Sequence, residues 1–212
     1  MIKCKICSKP TEPFEAIKKQ YYYCNNCKFI FLDKKFIVST KKEKERYLKH
    51  ENTIKNLGYV KIFKDFIKII DQNNPRIKTA LDFGCGPGDV LKTLLQNKDI
   101  KTDSYDIHFQ KEKVYENNKY DLITCTEVVE HLKNPLEIIK LLRGHLSSNG
   151  IIAIMTLFHS DNKEDFQKWW YITDETHISF YTIKTFEKIA ALLNLEISFT
   201  NSKNIVIISN KK

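Results

Sequence analysis

The chain has 212 residues, 42% of them hydrophobic, which allows one ordinary domain with a sizeable core plus a small accessory module. No run of about 18 apolar residues occurs, and the opening MIKCKIC lacks the apolar stretch of a signal peptide, so a cytoplasmic protein without a membrane span is expected. The net charge of +9 lies almost wholly in residues 1–50, with 13 Lys and Arg against 5 Asp and Glu, while residues 51–212 carry 22 against 21.

The N-terminal stretch holds Cys4, Cys7, Cys24 and Cys27, two C-x2-C pairs separated by sixteen residues. Each pair presents two sulfurs from one turn, and two turns close a tetrahedron, which is the spacing of a structural Zn²⁺ site. The metal stabilises the thiolates and supplies folding energy that so few residues lack. Tyr21 to Tyr23 and Phe29 to Leu32 read as two short strands of a zinc ribbon over residues 1–38. All four ligand positions are filled, so the site is structural. Cys85 and Cys125 are isolated and read as small core residues. The basic ribbon has two readings. It is an electrostatic footprint for nucleic acid, or it reflects AT-rich codon usage, with lysine filling a solvated surface.

Residues 39–76 form a second unit, a charge-rich linker or helix start over Ser39 to Lys49 and then a helix. Ile54, Leu57, Val60, Ile62, Phe63, Phe66, Ile67 and Ile70 recur at helical spacing. The turn-rich Asp71 to Pro75 ends it.

From residue 77 to 212 strand and helix patterns alternate. Strands are expected at 77–83, 102–107, 120–125 and 151–155, and helices at 90–97, 135–146 and 182–193. Asn134, Pro135 and Glu137 make a helix start, Ser147 to Gly150 reads as a turn, and 196–200 with 204–209 reads as a closing hairpin. Strands separated by helices imply an α/β fold with a mostly parallel sheet and ligands at the strands' carboxyl ends.

Half of the six glycines fall in TALDFGCGPGDV, between the first of these strands and its helix. Gly84, Gly86 and Gly88 form G-x-G-x-G, and Asp89 stands where a dinucleotide fingerprint would have its third glycine. This loop resembles motif I of the class I S-adenosylmethionine (SAM)-dependent methyltransferases, which have a Rossmann-like sheet with helices on both faces. The resemblance implies that Gly84, Cys85, Gly86 and Gly88 wrap the methionine part of SAM, with Asp82 near its ammonium group. It also implies that Asp106, at the end of the second strand, bonds the ribose hydroxyls. Asp103 competes for that role. Thr126 and Glu127, at the end of the strand from Tyr120, belong to the same cofactor wall. Only 14 residues separate Asp106 from Asp121, so the family's third strand and helix are shortened or missing.

The segment CTEVVEH carries Glu127, Glu130 and His131, which share one face if the stretch is helical. It resembles the EVxEH segment of ubiquinone-pathway O-methyltransferases and small-RNA 2′-O-methyltransferases. There such residues, with a later histidine matched here by His177, are associated with a divalent metal. Glu127, Glu130, His131 and His177 are thus candidate ligands for Mg²⁺ or Mn²⁺, and His131, Glu130 and His177 the candidate catalytic residues. Without metal, His131 or His177 would be the general base. The insertion between Leu157 and Tyr171 carries Trp169 and Trp170, of which one is expected to line the acceptor pocket.

The order of motifs, with His50-Glu51-Asn52 between ribbon and glycine loop, resembles bacterial methyltransferases with an N-terminal zinc ribbon. It implies SAM-dependent methyl transfer, first to a hydroxyl of a small or medium-sized acceptor. The alternatives are an RNA methyltransferase that holds nucleic acid with its ribbon, as some ribosomal-RNA enzymes do, and a non-catalytic SAM-binding partner protein.

Overall fold

Apolar strands that alternate with one-sided helices must cover both faces of a sheet. The computed structural model describes residues 1–49, 52–74 and 76–211. Its larger sheet contains β4 (Thr79–Phe83), β5 (Lys101–Tyr105), β6 (Tyr120–Thr126), β7 (Leu146–Met155), β9 (Leu195–Thr200) and β10 (Ile205–Asn210). The spatial order is β5-β4-β6-β7-β10-β9. The first four strands are parallel, and β10 runs antiparallel to both of its neighbours. Strand periodicity sends neighbouring residues to opposite faces. Leu122 and Ile151 join an apolar cluster with α2 (Leu57–Asn73) and α3 (Val90–Gln96). Ile123 and Ile152 join the opposite cluster with α4 (Pro135–Gly144) and α6 (Ile183–Leu192). This is the α/β sandwich expected, and between Tyr105 and Tyr120 no strand or helix intervenes.

The N-terminal residues form a second sheet, β1 (Glu12–Ala16), β2 (Lys19–Tyr23) and β3 (Ile30–Leu32). A strand from far along the chain, β8 (Ser179–Phe180), pairs antiparallel with β3 and completes the order β1-β2-β3-β8. A third apolar cluster joins Tyr21, Tyr23, Ile30 and Leu32 of the ribbon to Phe166, Tyr171 and Phe180.

Several local expectations change. Ser39 to Lys49 holds a helix, α1 (Thr40–Tyr47), with Ser39 as its N-cap and no buried residue. In α2 the buried stripe is Val60, Phe63, Phe66, Ile67 and Ile70, whereas Ile62 and Leu57, and Ile54 just before the helix, face solvent. One helix face meets the sheet, so the outer members of a broad stripe stay wet. Asn134 makes no side-chain cap bond to α4, although Pro135 opens the helix. The turn expected at Ser147 to Gly150 is a bulge inside β7: Tyr120 pairs with Leu146, then Leu122 with Ile151. Asp121 anchors it, accepting from the Ser147 hydroxyl at 2.9 Å and from the Lys78 and Thr79 amides at 3.0 and 3.1 Å. Among the described residues no helix is long and apolar enough to cross a membrane.

Candidate active site

The carboxyl ends of β4, β5 and β6 open on one cavity of about 590 Å³. The turn after β4 needs its glycines for separate reasons. Gly84 and Gly86 have φ of +79° and +66°, the left-handed region that side chains resist. A Cβ on Gly84 would strike the Val128 side chain, and one on Gly88 would strike the Asn52 carbonyl. The Gly84 amide donates to the Tyr105 carbonyl at 2.7 Å and the Gly86 amide to Asp106 Oδ2 at 3.0 Å, which ties the loop to the end of β5. Asp106 also accepts from the His108 and Phe109 amides at 2.7 and 3.1 Å. Of the two acids at this strand, Asp106 lines the cavity, while Asp103 accepts from the Tyr120 hydroxyl. Asp82 is buried beneath the loop and accepts from the Thr124 hydroxyl at 2.9 Å. Burial pushes its carboxyl up to about 7, with the Asp89 and Asp106 charges adding to the shift.

The opposite wall carries the acids and histidines, though not on an α-helical face. Glu127 sits at φ +53° outside any helix, and Val129–His131 is a single 3₁₀ turn. The strand end and the turn nevertheless bring the side chains together. Glu130, His131 and His177 each present a ligand atom, all within 4.8 Å of one another. Glu127 lies outside that set and lines the cavity with His131 and His177, whereas Glu130 lies fully buried behind the wall. The Tyr171 hydroxyl donates to Glu130 Oε1 and lies 3.3 Å from Glu127 Oε2. Burial pushes both carboxyls up, and the Glu127 charge pushes Glu130 further. Glu130 Oε2 is buried without a hydrogen-bond partner among the described residues. A buried carboxylate oxygen with no donor, beside two imidazoles, is a donor set that fits a divalent cation.

The histidine tautomers follow from their partners. His131 Nδ1 lies 3.0 Å from the Thr176 carbonyl and His177 Nδ1 lies 2.8 Å from the Tyr171 carbonyl. A carbonyl only accepts, so each Nδ1 carries a proton and donates it to that carbonyl. The rings stand 4.9 Å apart between centroids.

Several lining residues escape the sequence reading. Thr40, Glu43 and Tyr47 face the cavity from α1, and Tyr59 from α2. Glu43 Oε2 lies 3.3 Å from His108 Nε2, Arg46 pairs with Asp174 at 2.8 Å, and the Tyr47 ring meets the His131 ring edge-on at 5.2 Å. The spacing of Thr40, Glu43 and Tyr47 was the available signal, hidden in a run of charges. Neither tryptophan lines the cavity: Trp169 packs on the ribbon core and Trp170 is exposed, because α5 (Lys163–Lys168) turns this segment toward the ribbon. Of the HEN segment, Asn52 lines the cavity, and His50 and Glu51 lie outside the described residues.

The four ribbon cysteines form a separate cluster. Cys4 and Cys27 sulfurs lie 3.5 Å apart, as do those of Cys7 and Cys24, and all four lie within 4.8 Å of one another. Sulfurs about 3.8 Å apart are what a tetrahedron of ~2.3 Å Zn–S bonds requires. The two turns are built alike. The Ser8 amide donates to the Cys4 carbonyl and the Lys28 amide to the Cys24 carbonyl, at 3.0 and 2.8 Å, with Ser8 and Lys28 both left-handed. The hydrogen bond from Cys27 lowers the Cys4 thiol to about 5 and raises Cys27 far above its ordinary value.

Two curated relatives are ubiquinone biosynthesis O-methyltransferases. That of Histophilus somni is 31% identical over 44% of this chain and 39% of its own length. That of Haemophilus ducreyi is 25% identical over 38% of this chain and 45% of its own. The chain thus spans less than half the length of the curated relatives it matches. Among solved structures, the plantazolicin methyltransferase BpumL in complex with SAH superposes with a TM-score of 0.52 at 16% identity, covering 84% of this chain and 93% of that one. That likeness shows the Rossmann-like methyltransferase fold. Residues 57–198, which carry the glycine loop and both walls of the cavity, match the family described as Methyltransferase domain, and the chain belongs to that family.

Proposed function

We propose that this chain transfers a methyl group from SAM to a hydroxyl oxygen of a small or medium-sized acceptor, with a divalent cation at the acid–histidine wall. One observation carries the reading: the glycine loop with Asp82 and Asp106, and the wall of Glu127, His131 and His177, face the same cavity. The first wall suits a cofactor with an ammonium group and a ribose. Asp82 would meet the ammonium, Asp106 the ribose hydroxyls, and the side-chain-free loop the methionine backbone. SAM supplies an activated methyl group, so the protein's remaining task is the acceptor's proton. Without the cation, His131 or His177 would take it as general base. Glu130, His131 and His177, with Glu127 beside them, would hold Mg²⁺ or Mn²⁺, whose Lewis acidity lowers a hydroxyl pKa and fixes its oxygen in line. The two curated relatives are named O-methyltransferases, which supports oxygen as the acceptor atom.

The RNA reading is less well supported. Among the described lining residues, Glu43, Asp106, Glu137 and Asp174 stand against Lys133 as the single lysine or arginine, a wall poorly suited to a polyanion. The non-catalytic reading called for an inaccessible acid–histidine cluster, yet His131 and His177 line the cavity.

Calorimetry with SAM, with and without Mn²⁺, tests the proposal on wild type and Glu130→Ala. SAM is expected to bind both proteins within about threefold, and Mn²⁺ to bind only the wild type. No SAM binding to the wild type would overturn the reading. Equal methyl transfer with and without the cation, measured on a hydroxylated acceptor, would remove only the cation.

A further inference from the structure

The ribbon's sheet is finished by a strand of the catalytic region. β3 pairs with β8, and β8 begins two residues after His177. A run of backbone bonds continues inward: the Leu32 amide donates to the Ile178 carbonyl at 2.9 Å, and the Ile178 amide donates to the Glu130 carbonyl at 2.8 Å. The Ser179 and Tyr181 hydroxyls bond the Leu132 and Val129 carbonyls at 2.8 and 2.7 Å, so β8 also grips the 3₁₀ turn that carries Glu130 and His131.

The metal-binding turn of the ribbon is held at the same place. The Thr185 hydroxyl donates to the Cys27 carbonyl at 2.8 Å, from the first turn of α6. His159 Nε2 donates to the Lys28 carbonyl at 2.8 Å, while its Nδ1 accepts from the Asp161 amide. Tyr171, whose hydroxyl donates to Glu130 and whose carbonyl accepts a hydrogen bond from His177 Nδ1–H, belongs to the ribbon's own apolar cluster. The cofactor wall has different supports. Asp82 and the glycine loop hang from β4 and are tied to β5 and Asp106.

We infer that the ribbon, closed by Zn²⁺, is the positioning module of the acceptor wall: it fixes β8, and through β8 it sets Glu130, His131 and His177, while leaving the cofactor wall to the main sheet. The inference rests on the role given to those three residues above. It makes the two halves of the active site separable. Opening the four-cysteine cluster frees β3, β8 then loses its pairing partner, and the His177 and His131 rings lose the frame that holds their Nδ1 bonds.

The experiment uses the full chain as wild type, Cys7→Ser and Thr185→Val. Zinc content is measured by atomic spectroscopy, SAM affinity by calorimetry, Mn²⁺ affinity by electron paramagnetic resonance, and the Nδ1–H signals of His131 and His177 by NMR. The wild type is expected to hold one zinc and to show both Nδ1–H signals protected from exchange. Cys7→Ser should lose zinc and both signals and bind Mn²⁺ at least tenfold more weakly, with SAM affinity within threefold. Thr185→Val should keep zinc and fall between. Protected Nδ1–H signals in zinc-free protein would overturn the inference. So would a SAM affinity that falls as far as that for Mn²⁺, which would mark a general loss of fold. If the wild type fails to bind Mn²⁺, the cation of the proposed function is lost, and the Nδ1–H signals still decide the positioning role.

Discussion

At the scale of single residues the site trades stability for binding. Asp82 has a folded-state pKa of about 7 against an unfolded value near 3.8, because its charge is buried with one hydroxyl donor. The folded apo-protein therefore holds a proton that the unfolded chain releases. Its stability should fall as pH rises from about 4 to about 7 and then level off, with a loss on the order of 4 kcal/mol from this residue. An ammonium ligand needs the carboxylate, so SAM affinity should climb over the same window and a proton should be released on binding below pH 7. Calorimetry in buffers of different ionisation enthalpy measures that proton, and its absence would show that Asp82 is not the ammonium partner. Asp82→Asn should stabilise the apo-protein and flatten the pH profile of SAM binding. Gly84→Ala combines a left-handed backbone with a collision against Val128 and should weaken SAM binding at least tenfold. The turn at Gly84, Gly86 and Gly88 was legible as spacing, since left-handed φ and close approaches there favour glycine. The partner of Glu130 was not, because Tyr171 arrives from 41 residues away and no local pattern encodes that meeting.

At the scale of elements, the main strands and helices could be read because each has an apolar face of one period. Short elements without such a face could not, among them β1, α5 in what reads as an irregular insertion, β8, and α1 beyond the hint of a helix start. β8 is two residues long and exists only because β3 offers an edge to pair with. α1 has no apolar stripe, and its position depends on ion pairs, two ring contacts of Tyr47 and Lys44 over the Phe109 ring. The exposed Lys42–Glu175 pair contributes only about 0–1 kcal/mol, and with no buried residue of its own α1 should be the least stable covering of the cavity. Arg46→Ala is expected to speed amide exchange across residues 40–47 while lowering the melting temperature by less than about 3 °C. The exchange should also quicken in 0.5 M salt, as screening weakens the Lys42–Glu175 and Arg46–Asp174 pairs. Unchanged exchange in both cases would mean that packing, not charge, holds the helix. The 127–131 segment teaches a related lesson. The three side chains converge, but through a left-handed residue and a 3₁₀ turn rather than through helical periodicity. Sequence spacing pointed to side chains that meet without giving the backbone that brings them together.

At the scale of the whole molecule, ribbon and catalytic region share apolar clusters. Cys24, Cys27 and Phe29 pack with Tyr181 and Phe186, and Tyr21 and Leu32 with Phe166 and Phe180. Heating the zinc-loaded protein should therefore give a single cooperative transition, and a chain lacking residues 1–38 should aggregate or bind apolar dyes, since Phe166, Phe180 and Tyr171 would be uncovered. Two separate calorimetric transitions in the full chain would contradict that coupling. The shortened crossover between Asp106 and Asp121 has another kind of consequence. Among the described residues no strand pairs beyond it, so β5 is the rim of the main sheet, and an edge of this kind offers a template to any passing extended chain. The sequence of that rim, Lys101-Thr102-Asp103-Ser104-Tyr105, sets charges of both signs where an apolar strand would invite stacking. Lys101, which does not line the cavity, stands at this rim, and Lys101→Val should show increased light scattering without any change in SAM binding.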